Sequence, residues 1–144
     1  MRKVYYADSD EAIIGCIDAI LELRPMLQRN KVLSQVKDMQ TDDGYMLIYV
    51  MADDDPSKVA AIAGFRHLNK LLCGKHIYID DLSTLPEYRG KGYGSLLLNH
   101  VKDLAIRQGL GSVRLSSGYT NNDAHRLYLQ HGYKMSAHNF MLQL

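Results

Sequence analysis

Cysteine is scarce in this chain. Cys16 and Cys73 are the only two in 144 residues, too few and too far apart for a disulfide framework or a metal knuckle, and they fit a reducing compartment. An excess of charge is lacking too. The 17 Lys plus Arg stand against 16 Asp plus Glu, so no overall field draws the chain to nucleic acid or to an anionic membrane, and any charged site must be local. No apolar run is long enough to span a bilayer. The opening Met-Arg-Lys is followed by Asp8, Asp10 and Glu11, where a secretory signal would need an apolar stretch. A soluble cytoplasmic protein is expected. There is no internal repeat and no low-complexity segment. The histidines, His67, His76, His100, His125, His131 and His138, show no metal-ligand spacing on one element, and no metal is expected.

What is present is ordinary in bulk, with 47% hydrophobic and 23% charged residues, which suits one globular domain over residues 1–144. Val4 to Tyr6 reads as a short strand. Asp8 and Glu11 form a capping-box pattern ahead of Ile13, Ile14, Ile17, Ile20 and Leu21, so a helix is expected to about Leu23, where Arg24-Pro25 breaks it. Leu27 to Met39 carries a second helical pattern that ends at Thr41 to Gly44. Tyr45 to Met51 and Val59 to Phe65 read as a hairpin of strands around the turn Asp53 to Pro56, whose adjacent carboxylates are read as a solvated turn. Leu71 to Gly74 is a loop, and His76 to Leu82 is the next strand. A helix buries Leu97, Leu98, Val101, Leu104 and Ala105 and stops at Gly109. Ser112 to Ser116 is a strand, and a helix capped within Thr120 to Asp123 runs through Tyr128 to Gly132. Lys134 to Leu144 is expected as a final strand. This order gives a mixed sheet with helices packed on it.

The chain is organised around Ile77 to Gly94, where a strand runs into Arg89-Gly-Lys-Gly-Tyr-Gly94 and then a helix. The alternate glycines Gly90, Gly92 and Gly94 let several N–H groups point into one concavity ahead of a helix N-terminus, which suits an anionic phosphate. Arg89 and Lys91 add positive charge there. Asp80 and Asp81 offer a proton acceptor just upstream. A Walker loop is excluded, because the Gly-Lys-Ser/Thr is absent. A dinucleotide fingerprint is excluded by the Gly-x-Gly-x-Gly spacing, late in the chain and without a following acid between Ser112 and Gly118.

Arg89-Gly-x-Gly-x-Gly94, together with Asn121-x-x-Ala124-x-x-Leu-Tyr128-x-x-x-Gly-Tyr133, resembles the GNAT superfamily of N-acetyltransferases over about Val4 to Leu144. The resemblance implies a mixed, mostly antiparallel twisted sheet of about six strands, splayed between the fourth and fifth and flanked by about four helices. It implies acetyl-CoA as co-substrate. The pyrophosphate would lie on Arg89, Gly90, Lys91, Gly92, Tyr93, Gly94 and Ser95, with Asn121 nearby, and the thioester on the main chain of Leu82, Ser83 and Thr84. Tyr128 matches the position of the tyrosine that protonates the departing thiolate. A phenol near pKa ~10 facing a thiol near ~8.5 makes full transfer mildly uphill, yet a hydrogen bond to the developing thiolate still lowers the barrier.

Adjacent strand residues leave opposite faces unless a bulge intervenes, so at most one of Asp80 and Asp81 acts directly. Asp80-Asp-Leu-x-x-x-Pro-Glu-Tyr-Arg-Gly90 resembles the acidic pair of the polyamine-type members of the family, and that resemblance implies Asp80 as the general base and Asp81, with Glu22, as a binder of substrate charge. Cys16 and Cys73 are read as structural, and Tyr93, Tyr119 and Tyr133 as packing or cofactor-contact residues. The acidic trio favours a small cationic amine as acceptor, polyamine-like or an amino sugar. A protein lysine or N-terminus is the alternative acceptor, and an acyl-CoA sensor without turnover is the alternative of another class. Partners are then a small-molecule amine and no nucleic acid or membrane, with a homodimer left open.

Overall fold

Unbroken apolar runs make strands that are covered on both faces. In the computed structural model, which describes residues 1–144, Met46–Met51 (β2), Val59–Lys70 (β3) and Gly74–Thr84 (β4) form an antiparallel meander. β3 is buried without alternation from Val59 to Phe65, as a strand covered on both faces must be. Tyr5–Tyr6 (β1) adds antiparallel to β2, and Val113–Leu115 (β5) adds parallel to β4, so the sheet order is β1-β2-β3-β4-β5. The helices are Asp10–Gly15 (α1), Ile17–Leu23 (α2), Arg29–Asp43 (α3), Tyr93–Arg107 (α4) and Asn122–Gln130 (α5). Ile13, Ile17 and Ile20 from the first two, Val32 and Val36 from α3, and Leu97, Leu98 and Val101 from α4 join Ile48, Ile62, Phe65 and Ile77 of the sheet in one core. No helix is long and apolar enough to cross a membrane.

The mixed, mostly antiparallel sheet is as expected, with three differences of detail. The first helix is two, broken at Cys16, and its N-cap is Ser9, whose Oγ accepts from the Ala12 N–H at 3.2 Å. Asp8 therefore stays outside the helix. There are five helices rather than four, and five strands rather than six. The expected strand at Lys134 to Leu144 has no regular structure and is exposed throughout. Alternating side chains alone do not make a strand, because its N–H and C=O groups need a neighbouring strand, and these residues meet none.

Two irregularities of β4 shape the site. β4 and β5 pair only at Ile77–Val113, Tyr78–Arg114 and Ile79–Leu115, so from Asp80 to Thr84 the strand runs on with its outer side uncovered. The two strands splay there. Opposite Gly64 the register also slips: Gly64 faces Asp81 while Phe65 faces Ile79, which makes Asp80 the extra residue of a β-bulge. A bulge turns both carboxylates toward the same face.

Candidate active site

The glycine loop is built as a donor cradle. Gly90 and Gly92 sit at φ of +74° and +87°, a left-handed conformation that costs any other residue roughly 1–2 kcal/mol. None of the main-chain N–H groups from Gly90 through Ser95 donates to a main-chain acceptor, and the first that does is Leu96, to Gly92 at 3.1 Å. No side chain caps the start of α4. A run of free N–H groups at the positive end of a 15-residue helix is an anion site.

Around it, Arg89 donates to the Thr84 carbonyl at 3.2 Å and to Glu22 at 3.0 Å, and the Lys91 ammonium lies 5.7 Å from the Tyr88 ring centroid. Arg2 holds the loop from behind. It donates to the Lys91 carbonyl at 2.6 Å, pairs with Asp53 and covers the Tyr93 ring at 3.8 Å. The Tyr93 side chain is buried and its hydroxyl accepts from the Asp53 N–H, so toward the cradle Tyr93 offers its own N–H. Gly94 lies inside α4, where an added Cβ would stand 3.3 Å from Leu127 of α5. Ser95 is tied to His131 at 2.9 Å, and Asn121 caps α5 by accepting from Ala124.

The Leu85 N–H bonds to Ala60 of β3, so by alternation the main-chain groups of Leu82 and Thr84 point away from β3, into the splay. Ser83 points inward and is buried. The thioester stretch named from sequence therefore presents two of its three residues to the opening.

On the Gly64 face of the sheet, each acid is matched by an arginine. Arg66 holds Asp80 Oδ2 and also stands 3.7 Å from Asp43. Arg24 holds Asp81 Oδ1 at 3.0 Å and the Asp80 carbonyl at 3.0 Å. The Tyr45 hydroxyl donates to Asp81 Oδ2 at 2.7 Å. Both oxygens of Asp81 are thus committed, whereas Asp80 is gripped through Oδ2 alone. Burial pushes the Asp80 carboxyl above its ordinary value, against the lowering pull of Arg66. Beside this network, α2, α3 and the sheet enclose a cavity of about 180 Å³ lined by Ile20, Leu23, Leu27, Val36 and Met39, with Arg24 and Asp81 at its polar end.

Tyr128 faces Tyr133 at 5.9 Å between ring centroids. Burial raises its phenol above the ordinary value, the Arg24 charge draws it back down, and no hydrogen bond contributes. Arg24 thus acts electrostatically on Asp81 and on Tyr128. Arg2, Arg24, Arg66 and the Tyr45 hydroxyl were not legible as site groups. Each reaches its partner from another element, and no local spacing marks them.

Known proteins resemble this chain in sequence and in fold. The model of the acetyltransferase (GNAT) family matches residues 20–133. An uncharacterized N-acetyltransferase, YhdJ of Bacillus subtilis, is 36% identical over 107 residues, covering 74% of this chain and 73% of that protein. An aminoalkylphosphonate N-acetyltransferase of Salmonella typhimurium is 40% identical over 62 residues, 43% of this chain and 40% of that protein. The solved structure of an aminoglycoside N-acetyltransferase in complex with CoA superposes with a TM-score of 0.83 at 13% identity, covering 100% of this chain and 95% of that one, a likeness of fold.

Proposed function

The chain belongs to the acetyltransferase (GNAT) family and is an acyl-CoA-dependent acyltransferase, and from that premise we propose that it acetylates a small primary amine from acetyl-CoA by direct attack, with no acyl-enzyme. The observation that carries the reading is the run of free N–H groups from Gly90 to Ser95, opening onto the splay between β4 and β5.

When bound, acetyl-CoA supplies the thioester whose acetyl group the amine takes. The loop N–H groups, with Arg89 and Lys91, hold the pyrophosphate. The outward N–H groups of Leu82 and Thr84 orient and polarise the carbonyl. Asp80, through its free Oδ1, takes the proton from the acceptor ammonium, and Asp81 positions Arg24 and Tyr45. Tyr128 donates to the sulfur as the C–S bond breaks, and the second proton, shed by the nitrogen as it becomes an amide, returns to the phenol through water, so the thiol departs protonated. Orientation of two substrates and fixed dipoles at the carbonyl are the larger contributions in such a reaction.

The acceptor approaches from the cavity beside Asp81. Asp80, Asp81 and Glu22 are each paired with an arginine, which cancels much of the attraction for a multiply charged amine. The cavity wall is mostly apolar. A small amine carrying one cationic group on a compact apolar body fits both facts. The Salmonella relative, which by its name acts on an aminoalkylphosphonate, supports a small amine over a protein lysine.

The test is release of free CoA thiol with a panel of amines. The expected result is amine-dependent release that is faster for small monoamines than for polyamines. Tight acetyl-CoA binding with no amine raising release above hydrolysis would leave the chain an acyl-CoA sensor.

A further inference from the structure

Arg24 carries donors that the fold leaves unused, at the polar end of an apolar cavity. The residue ends α2, where Pro25 cannot continue the helix, and its side chain crosses to the bulge of β4. Nε and Nη2 grip Asp81 Oδ1 at 3.2 and 3.0 Å, and Nη2 also reaches the Asp80 carbonyl at 3.0 Å. Nη1 has no partner. With the side chain 42% exposed, that nitrogen is open to a ligand. Because the rest of the guanidinium is already bonded in place, Nη1 is a fixed donor and not a loose surface one.

Three features of the site each call for a different group. Asp80 Oδ1 is free for an ammonium. Nη1 of Arg24 is free for an anion, and its guanidinium is bonded to the main chain of Asp80 itself, so the two groups are close neighbours. The cavity of about 180 Å³, walled by Ile20, Leu23, Leu27, Val36 and Met39, takes an aliphatic body. Charge decides how they combine. Asp80 and Asp81 are balanced by Arg66 and Arg24, and Asp43, 3.7 Å from Arg66, is exposed and screened by solvent. A bare ammonium therefore brings an uncompensated charge into half-buried ground, whereas a zwitterion brings none.

We infer that the acceptor is an α-amino acid with an aliphatic side chain, its amine on Asp80, its carboxylate on Nη1 of Arg24 and its side chain in the cavity. The inference rests on the acetyltransferase reading above and narrows its acceptor. Amine and carboxylate share one carbon in such a molecule, the short spacing that two neighbouring groups require. A polyamine would leave Nη1 unpartnered, and a peptide N-terminus offers an amide where the carboxylate belongs. The support behind the acids gains a purpose as well: the Tyr45 hydroxyl fixes Asp81 at 2.7 Å, and Asp81 aims Arg24. The N–C bond forms as the C–S bond breaks, giving the N-acetyl amino acid and free CoA thiol. Of the two protons that the ammonium loses, one passes through Asp80 to solvent and one ends on the thiol.

The experiment is thiol release from acetyl-CoA with leucine, alanine and 3-methylbutylamine, which is leucine without its carboxylate, in the wild type, Arg24→Gln and Arg24→Lys. Calorimetry of N-acetylleucine and of N-(3-methylbutyl)acetamide on the CoA-loaded chain reads binding without turnover. Leucine should exceed 3-methylbutylamine in kcat/KM by about 10-fold or more, the worth of one charge-assisted hydrogen bond. It should exceed alanine by about 60-fold, for three further buried carbons at about 4-fold each. Arg24→Gln should remove the preference for leucine over 3-methylbutylamine whatever it does to the absolute rates, because both acceptors depend alike on Asp80, and Arg24→Lys should restore part of it. N-acetylleucine should bind about 10-fold more tightly than the uncharged amide. The inference is overturned, with the acetyltransferase left standing, if 3-methylbutylamine matches leucine, if the preference survives Arg24→Gln, or if the two products bind equally. The phosphonic analogue of leucine outrunning leucine would overturn the carboxylate as the bound anion. Release that no amine raises above hydrolysis fails the acetyltransferase reading itself, and this inference with it.

Discussion

Gly64→Ala should be among the most damaging single-methyl additions in the chain. Gly64 faces Asp81 across the β3–β4 bulge, and the Tyr45 ring lies directly over it. An added Cβ would overlap the Tyr45 hydroxyl and stand 2.6 Å from its Cε1. Tyr45 is 5% exposed, and the space it can step into is the cavity beside Asp81, which it also lines. Overpacking of a tight site costs about 1–3 kcal/mol, and displacing Tyr45 also breaks its 2.7 Å bond to the Asp81 carboxylate, worth about 1.5–3 kcal/mol. Together these give about 2.5–6 kcal/mol, read as a lower urea midpoint at unchanged slope. Gly15→Ala is the control, because a Cβ there meets only Val59 Cγ2 at 3.8 Å. It should leave stability equal or raise it by up to about 1 kcal/mol. A loss below 1 kcal/mol for Gly64→Ala would mean that the Tyr45–Asp81 arrangement is not the tight support for the site described above.

Tyr128→Phe should lower kcat by about 100-fold or more with little change in acetyl-CoA affinity measured by calorimetry; unchanged turnover would remove Tyr128 from the mechanism. Because burial raises the Asp80 carboxyl, the acid limb of the pH–rate profile should lie above the ordinary carboxylate range. Arg66→Gln removes a lowering influence and should move that limb higher. The stability sign follows the same shift: the folded chain holds the Asp80 proton more tightly than the unfolded chain, so this group's contribution is full below its unfolded value and is lost as pH rises through the raised one. Finally, Cys16 is buried with its thiol pushed up to about 12, whereas Cys73 is partly exposed. A thiol reagent should therefore count one cysteine in the native chain and two in denaturant.

What was legible in the sequence was whatever depends on neighbours in the chain. The glycine loop, a cap of α5 within Thr120 to Asp123 and the apolar strands β2 to β4 all follow from local spacing, and the structure has them where the residues stand, the cap being Asn121. The partners of the acids follow from no spacing. Arg24 and Asp81 are 57 residues apart, and only the fold brings them together, so three bare carboxylates in the sequence become three ion pairs in the molecule. The bulge at Asp80 was conceivable from two adjacent acids but depends on the register with β3. Lys134 to Leu144 failed in the opposite way. Its alternation is that of a strand, but pairing needs an edge, and the chain's own edge is not where the segment goes.

The most direct test of the central claim is amine-dependent thiol release measured side by side with acetyl-CoA and with S-acetylpantetheine, which carries the same thioester and lacks the pyrophosphate. If the N–H groups from Gly90 to Ser95 hold that pyrophosphate, the loss of two charge-assisted hydrogen bonds, about 3 kcal/mol at least, should lower kcat/KM by about 100-fold or more. Equal kcat/KM for the two thioesters would contradict the account.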